Sequence, residues 1–223
     1  MSDQSSLRVV VVPVTPFEQN CSLVWCAETQ LAAVVDPGGD IEQVIAAADQ
    51  NAVTIEKILI THGHLDHAGA AADLAEQLRV PIEGPQREDS FWIDRLAEAG
   101  RTYGMTYCRP FVADRWLDDG DVVTVGRQSM DVRHCPGHTP GHVIFFHPDA
   151  RVAFVGDVLF NGSIGRTDFP RGDFATLIES ITGKLWPLGD DVTFVPGHGP
   201  ASTFGHERKS NPFVADRVIG RGR

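Results

Sequence analysis

Long apolar runs, paired cysteines and a surplus of positive charge are all missing from this sequence. No stretch approaches the roughly 18 residues of a membrane span, and the early run Val9 to Val12 stops at Pro13. The opening MSDQSSLR has no basic region followed by an apolar stretch and a small-residue cleavage site, so no secretory signal is expected. The four cysteines, Cys21, Cys26, Cys108 and Cys135, form no CxxC pair and are too few for a disulfide framework in 223 residues. Free thiols and a cytoplasmic location are the expectation. Cations are scarce as well: 19 Lys and Arg against 30 Asp and Glu give a net charge of −11. Neutralising a phosphate backbone takes clustered Lys and Arg, so neither nucleic acid nor a membrane is an expected partner. With no linker-like or low-complexity tract, residues 1–223 are expected to form one domain.

What is present is an alternation of short strands and helices. Val9–Val14, Ser22–Trp25 and Leu31–Val35 are rich in β-branched and apolar residues, and the last ends in the turn Asp36-Pro37-Gly38-Gly39. Asp40 is expected to cap a helix over Ile41–Asp49, and Lys57–Ile60 to form a buried strand. An alanine-rich helix is predicted over Ala68–Leu78, a strand at Val80-Pro81-Ile82 and a helix over Glu88–Ala99. Strands follow at Val122–Val125, Met130–Arg133, Val143–Phe146 and Arg151–Val155. After them come a glycine-rich loop over Asn161–Asp173, a helix over Phe174–Leu185 and a last strand at Val192–Val195. Sheets with helices packed outside them fit this order.

Histidine is the plentiful residue, with nine copies that cluster. His62, His64, Asp66 and His67 fall within six residues at a strand end. In extended chain, His62 and His64 project to one side, while Asp66 and His67 enter the next helix and aim elsewhere, so two adjacent metal positions are expected. His138, Asp157 and His198, each at the end of a predicted strand and beside glycine, are the further candidate ligands. Imidazole and carboxylate together suit zinc, iron(II) or manganese(II). Of the other histidines, one of His134 and His142 is a candidate partner behind the ligands, and His147 and His206 are expected at the surface. Asp36 reads as a loop-support residue, Cys135 as a buried thiol, and Phe91-Trp92 as helix packing or the edge of a substrate mouth.

THGHLDHAG, CPGHTPGH, Gly156-Asp157, PGHGP and the closing ERKSNPF of Glu207–Phe213 resemble the metallo-β-lactamase-fold hydrolases, and within them the short bacterial hydroxyacylglutathione hydrolases, or glyoxalase II. The resemblance runs from about Pro13 to Phe213. It implies an α+β fold: an αββα sandwich of two mixed sheets packed face to face, helices outside, with no separate C-terminal helical domain. It also implies two divalent metal ions, zinc foremost, with iron or manganese as alternatives. One ion falls to His62, His64 and His138, the other to Asp66, His67 and His198, with Asp157 bridging; Asp66 and Asp157 are the implied catalytic residues. The implied reaction is hydrolysis of an S-(2-hydroxyacyl)glutathione thioester, such as S-lactoylglutathione, by a hydroxide shared between the ions. Arg166 and Arg217 are the expected cations for the substrate's carboxylates. GRTDF, Gly165–Phe169, is also similar to the persulfide dioxygenases, which use one iron, and a lactonase of the same superfamily is a further alternative.

Overall fold

The computed structural model describes residues 6–220. Its first sheet has the order β1 (Leu7–Val14), β2 (Gln19–Cys26), β3 (Leu31–Val35), β4 (Thr54–Leu59) and β5 (Ile82–Glu83). β1, β2 and β3 pair antiparallel, whereas β3 with β4 and β4 with β5 are parallel, because α1 (Ile41–Gln50) and the next helical stretch return the chain to the same edge. That stretch is α2 (Leu65–Ala68) and α3 (Ala71–Leu78). A short 3₁₀ turn, Arg87–Asp89, leads to α4 (Ser90–Ile93) and α5 (Leu96–Tyr103).

The second sheet draws on β6 (Val122–Val125), β7 (Gln128–His134), β8 (Val143–His147) and β9 (Val152–Gly156), then β12 (Thr193–Pro196) and β13 (Ser202–Thr203). Their order is β13-β12-β9-β8-β7-β6, with β12 parallel to β9 and the other pairs antiparallel. Between β9 and β12 lie a hairpin, β10 (Leu159–Phe160) with β11 (Ser163–Ile164), and α6 (Phe174–Ser180); α7 (Phe204–Ser210) follows β13.

Side-chain alternation explains the layering. In β3, Ala33 and Val35 face the space between the sheets while Ala32 and Val34 face the helices; in β8, Val143 and Phe145 point inward and Ile144 and Phe146 outward. The middle layer joins Val24, Leu59, Phe145 and Phe154, all at most 2 % exposed, and truncating Phe154 to Ala there costs about 3–5 kcal/mol. Outside the first sheet pack Val44 of α1, Leu74 of α3 and Leu96 of α5; outside the second pack Leu177 of α6 and Phe204 of α7. The expected αββα sandwich of two mixed sheets is what forms.

Several local expectations change. Asp40 does not cap α1: it sits at φ 47°, and its carboxylate accepts from the Thr15 N–H at 2.7 Å instead. The alanine-rich helix breaks at Gly69-Ala70, because the Ala70 N–H is drawn to the Pro37 carbonyl. The helix expected over Glu88–Ala99 is two pieces: Arg95 N–H bonds to the Trp92 carbonyl three residues back, which tightens the turn and redirects the chain. The predicted strand at 80–82 shifts to Ile82–Glu83, and the glycine-rich loop contains the β10–β11 hairpin. His147, expected at the surface, is 2 % exposed; Gln128 Oε1 lies 3.0 Å from its Nε2, and its Nδ1 accepts from Ala150 N–H at 2.9 Å, so it closes the turn after β8.

Candidate metal centre

Every candidate ligand lies just past the end of a strand or at the start of the helix beyond it. His62 and His64 follow β4, Asp66 and His67 lie in α2, His138 follows β7, Asp157 follows β9 and His198 follows β12. The structure brings all seven together. His64 Nδ1 and His138 Nε2 are 3.0 Å apart, close to the separation of about 3.3 Å that a tetrahedral ion imposes on two ligands at 2.0–2.1 Å. His62 joins them: one ligand nitrogen from each of the three lies within 4.8 Å of the others. Asp66, His67 and His198 form a second such group, with Asp66 Oδ2 at 3.1 Å from His198 Nε2. Asp157 stands between, its Oδ1 3.3 Å from His67 Nε2 and its Oδ2 3.5 Å from His138 Nε2 and 3.9 Å from His198 Nε2.

The polar bookkeeping shows that this donor set fits cations. His62 Nε2, His67 Nε2 and Asp157 Oδ1 are buried and have no hydrogen-bond partner in the protein, a costly arrangement for atoms sealed from water. The far nitrogens of His62, His67 and His138 are engaged, whereas that of His64, Nε2, is buried without a partner among the described residues. His62 Nδ1 lies 3.0 Å from Thr61 Oγ1, His67 Nδ1 2.9 Å from Asp36 Oδ2, and His138 Nδ1 2.7 Å from the Arg166 carbonyl. Such outer bonds fix ring orientation and leave the inner nitrogen for a metal. Asp36, His62 and His67 also lie within 4.8 Å of one another, but the Asp36 carboxylate is taken up by Thr61 N–H, Thr61 Oγ1–H and His67. It supports the loop, as expected, and orients His67.

Electrostatics follow burial and charge. Burial, then the neighbouring His67 and His142, holds the His62 pKa well below its ordinary value, and burial with His138 lowers that of His64 to about 3. Both imidazoles are neutral donors at physiological pH. Burial opposes a charge on His67 too, yet the Asp157 and Asp66 carboxylates outweigh it and raise its pKa well above the ordinary range. Burial likewise disfavours the Asp157 carboxylate, but His67, His138 and His198 hold its pKa far below the usual one. Without an ion, a proton on His67 balances the carboxylates.

Two glycines make room for this packing. A Cβ on Gly38 would lie 1.5 Å from the Asp66 carbonyl oxygen, and one on Gly197 would lie 2.1 Å from Asp157 Oδ1 and 2.5 Å from His67 Cε1. Only a bare backbone allows these approaches.

Sequence reasoning missed Asp89. It is fully buried in the 3₁₀ turn before α4, and its carboxylate accepts from Gly63 N–H at 2.8 Å, Thr139 Oγ1–H at 2.8 Å and Gly141 N–H at 2.5 Å. It thereby ties the His62–His64 loop to the His138 loop; burial, against the pull of these donors, lifts its pKa to about 6. Within its own segment nothing marks this role, since the partners lie 26 to 52 residues away. His142, one of the two histidines proposed as a rear partner, stacks on His62 at 4.5 Å and accepts from the Asp157 N–H at 3.0 Å. His134 Nε2 meets the Pro140 carbonyl at 2.8 Å, bracing the His138 loop.

The centre opens into a cavity of about 630 Å³, and His64, Asp66, His138, Asp157 and His198 line its floor. Its walls are largely apolar: Trp92, whose ring lies 4.5 Å from that of His64, with Leu96, Phe160, Ile164 and Phe169. The closing ERKSNPF segment acts on this wall from behind. Glu207 accepts from Gly162 N–H at 2.9 Å and from Ser202 Oγ–H, and Asn211 Nδ2 donates to the Ser163 carbonyl at 3.0 Å, fastening the hairpin that carries Phe160 and Ile164. Arg166 lines the cavity, but both arms of its guanidinium bond Asp168 at 2.7 Å. Arg217 is exposed in the turns after α7 and does not line the cavity. Cys135 is buried, as expected, and its thiol pKa is pushed up to about 12 by burial.

A four-layer sandwich with imidazole and carboxylate ligands converging at one end of both sheets defines a metallo-hydrolase. The chain belongs to the metallo-beta-lactamase superfamily, whose sequence pattern matches residues 14–198. It is 44% identical over 209 residues to the hydroxyacylglutathione hydrolase GloC of Haemophilus influenzae, covering 93% of this chain and 98% of that protein. Among solved structures it is similar to BLEG-1, described as a B3 metallo-beta-lactamase, with a TM-score of 0.85 and 33% identity over 93% of this chain and 99% of that one. It is also similar to TTHA1623, solved in a di-iron-bound form, with a TM-score of 0.82 and 35% identity over 92% of this chain and all of the other.

Proposed function

We propose that this protein is a metal-dependent thioester hydrolase that cleaves S-(2-hydroxyacyl)glutathione, S-lactoylglutathione foremost, to glutathione and a 2-hydroxy acid. His62, His64 and His138 would hold one divalent ion and Asp66, His67 and His198 a second, with Asp157 between them; zinc, iron and manganese all suit these donors. The observation that carries this reading is the pair of ligand groups sharing one carboxylate while buried nitrogens and an oxygen between them lack partners. The 44% identity to a hydroxyacylglutathione hydrolase supports the substrate class. When bound, two such ions supply Lewis acidity and bring the pKa of water from 15.7 towards ~7.

The chain's own residues do the rest. Asp36 and the Arg166 carbonyl keep the inner nitrogens of His67 and His138 unprotonated toward the centre once ions displace the protons. Trp92, Phe160 and Phe169 give the reacting carbonyl a wall with little water. A thiolate is a weak base and leaves without a general acid, which suits a floor made of ligands with no spare proton donor. The four cysteines are all free and buried, which suits a reducing, cytoplasmic setting.

The test is thioester turnover by protein loaded separately with zinc, iron and manganese, with metal counted per chain. The reading requires loss of S-lactoylglutathione absorbance under anaerobic conditions with more than one ion bound. Oxygen uptake with glutathione persulfide in place of that loss would overturn it in favour of a dioxygenase.

A further inference from the structure

Arginines of this acidic chain are commonly neutralised on the spot. Arg115, Arg127, Arg151, Arg166 and Arg208, for example, each hold a carboxylate within 3.4 Å. Arg95 and Arg171 differ: both are exposed, and among the described residues neither has a carboxylate within 4.0 Å. Both instead lie over one ring, the Arg95 Cζ 4.0 Å and the Arg171 Cζ 4.2 Å from the centroid of Phe91. The two cationic carbons are therefore no more than about 8 Å apart. Stacking on a phenyl face steadies a guanidinium without using its N–H donors, which point outward in its plane. Two like charges held this close repel each other, and a carboxylate that reaches the outward N–H groups of both relieves that repulsion.

The two reach the cavity differently, Arg95 as a lining residue and Arg171 from the turn two residues beyond the lining residue Phe169. Arg95 lines it at the tight turn between α4 and α5. Arg171 has φ 65°, in a turn closed by Gly172 N–H to the Phe169 carbonyl at 2.9 Å, and Phe169 lines the cavity. The rings run on to the metal centre: Phe91 to Trp92 at 5.4 Å, then Trp92 to His64 at 4.5 Å. Phe91 thus lies no more than about 10 Å from His64, roughly the reach of an extended tripeptide at 3.3–3.6 Å per residue.

We propose that Arg95 and Arg171, stacked on Phe91, form a carboxylate-binding subsite at the cavity mouth that holds one carboxylate of the peptide attached to the substrate's sulfur. The inference rests on the thioesterase reading and names the part of the site that selects an anionic peptide carrier. Arg166, already engaged by Asp168, is the poorer candidate.

The experiment compares wild type with Arg95→Gln, Arg171→Gln and the double variant. Arg87→Gln is the control, since Arg87 lies over Trp116 and lines no part of the cavity. Two substrates are used, S-lactoylglutathione and the uncharged S-lactoyl-N-acetylcysteamine. The ratio of their kcat/KM values falls about tenfold or more in the double variant, through KM for the glutathione compound, and stays at the wild-type value in Arg87→Gln. A ratio within about twofold of wild type in the double variant overturns the subsite. Calorimetric binding of S-hexylglutathione needs no turnover. If wild type binds it about tenfold more tightly than the double variant but cleaves neither thioester, the subsite stands and the thioesterase reading falls. Equal binding by the two proteins, or none by wild type, overturns the subsite whatever the turnover.

Discussion

Replacing Asp89 with Asn tests whether one buried carboxylate aligns the two ligand loops. The carboxylate serves three donors, with Oδ2 facing Gly63 N–H and Thr139 Oγ1 and Oδ1 facing Gly141 N–H. An amide has one oxygen. Placed at the Oδ2 position, it leaves its NH₂ against Gly141 N–H, which in the native protein lies 2.5 Å from the carboxylate. Placed at the Oδ1 position, it lets the Thr139 hydroxyl turn and accept, but sets NH₂ against Gly63 N–H, between His62 and His64. Either way one buried backbone donor loses a charged acceptor, which costs about 2–3 kcal/mol. For a chain of this size that lowers Tm by roughly 4–12 °C. Thermal and chemical denaturation of metal-loaded and chelator-treated D89N measure the loss, and metal analysis tests its reach into the site. A loss below about 0.5 kcal/mol with full metal content would refute the role assigned to Asp89.

Three further outcomes are expected. Asp157→Ala removes the carboxylate shared by both ligand groups, so metal content and thioester turnover fall together; retained turnover in this variant sinks the proposed site. Gly197→Ala drives a methyl into Asp157 Oδ1 and His67, and metal titration should show weakened uptake, whereas wild-type affinity would mean that the backbone yields without cost. Metal uptake at pH 7 should release protons, because the ion-free pKa values of His67 and His198 are raised while a ligating imidazole is neutral. The release shrinks, and apparent affinity grows, as pH rises through those values; calorimetry in two buffers of different ionisation enthalpy counts the protons, and none released at pH 7 contradicts the assignment.

What could be read from the sequence was whatever acts through local spacing. The unbroken apolar runs of Leu31–Val35 and Val143–Phe146 report two-sided burial directly, and the ligand types announce themselves beside glycine at strand ends. Contacts made across long separations left no local mark. Asp89 looks like any first-turn acid, His147 like a surface histidine, and the interruption at Gly69-Ala70 depends on a carbonyl at Pro37. Asp40 has the residue type of a cap, yet the Thr15 N–H competes for it and wins. Arg166 was legible as a cation near the site but not as one already engaged, because Asp168 has to be seen folded against it.

Four of the seven candidate ligands come from the first sheet's side and three from the second, and His198 follows Asp66 by 132 residues. A growing polypeptide therefore carries most of its candidate ligands early, and the group of Asp66, His67 and His198 stays incomplete until β12 slots in alongside β9. Long loop closure of this kind comes late in folding. On the proposed reading, metal capture would be a certificate of completed assembly, issued only when both halves of the sandwich have met.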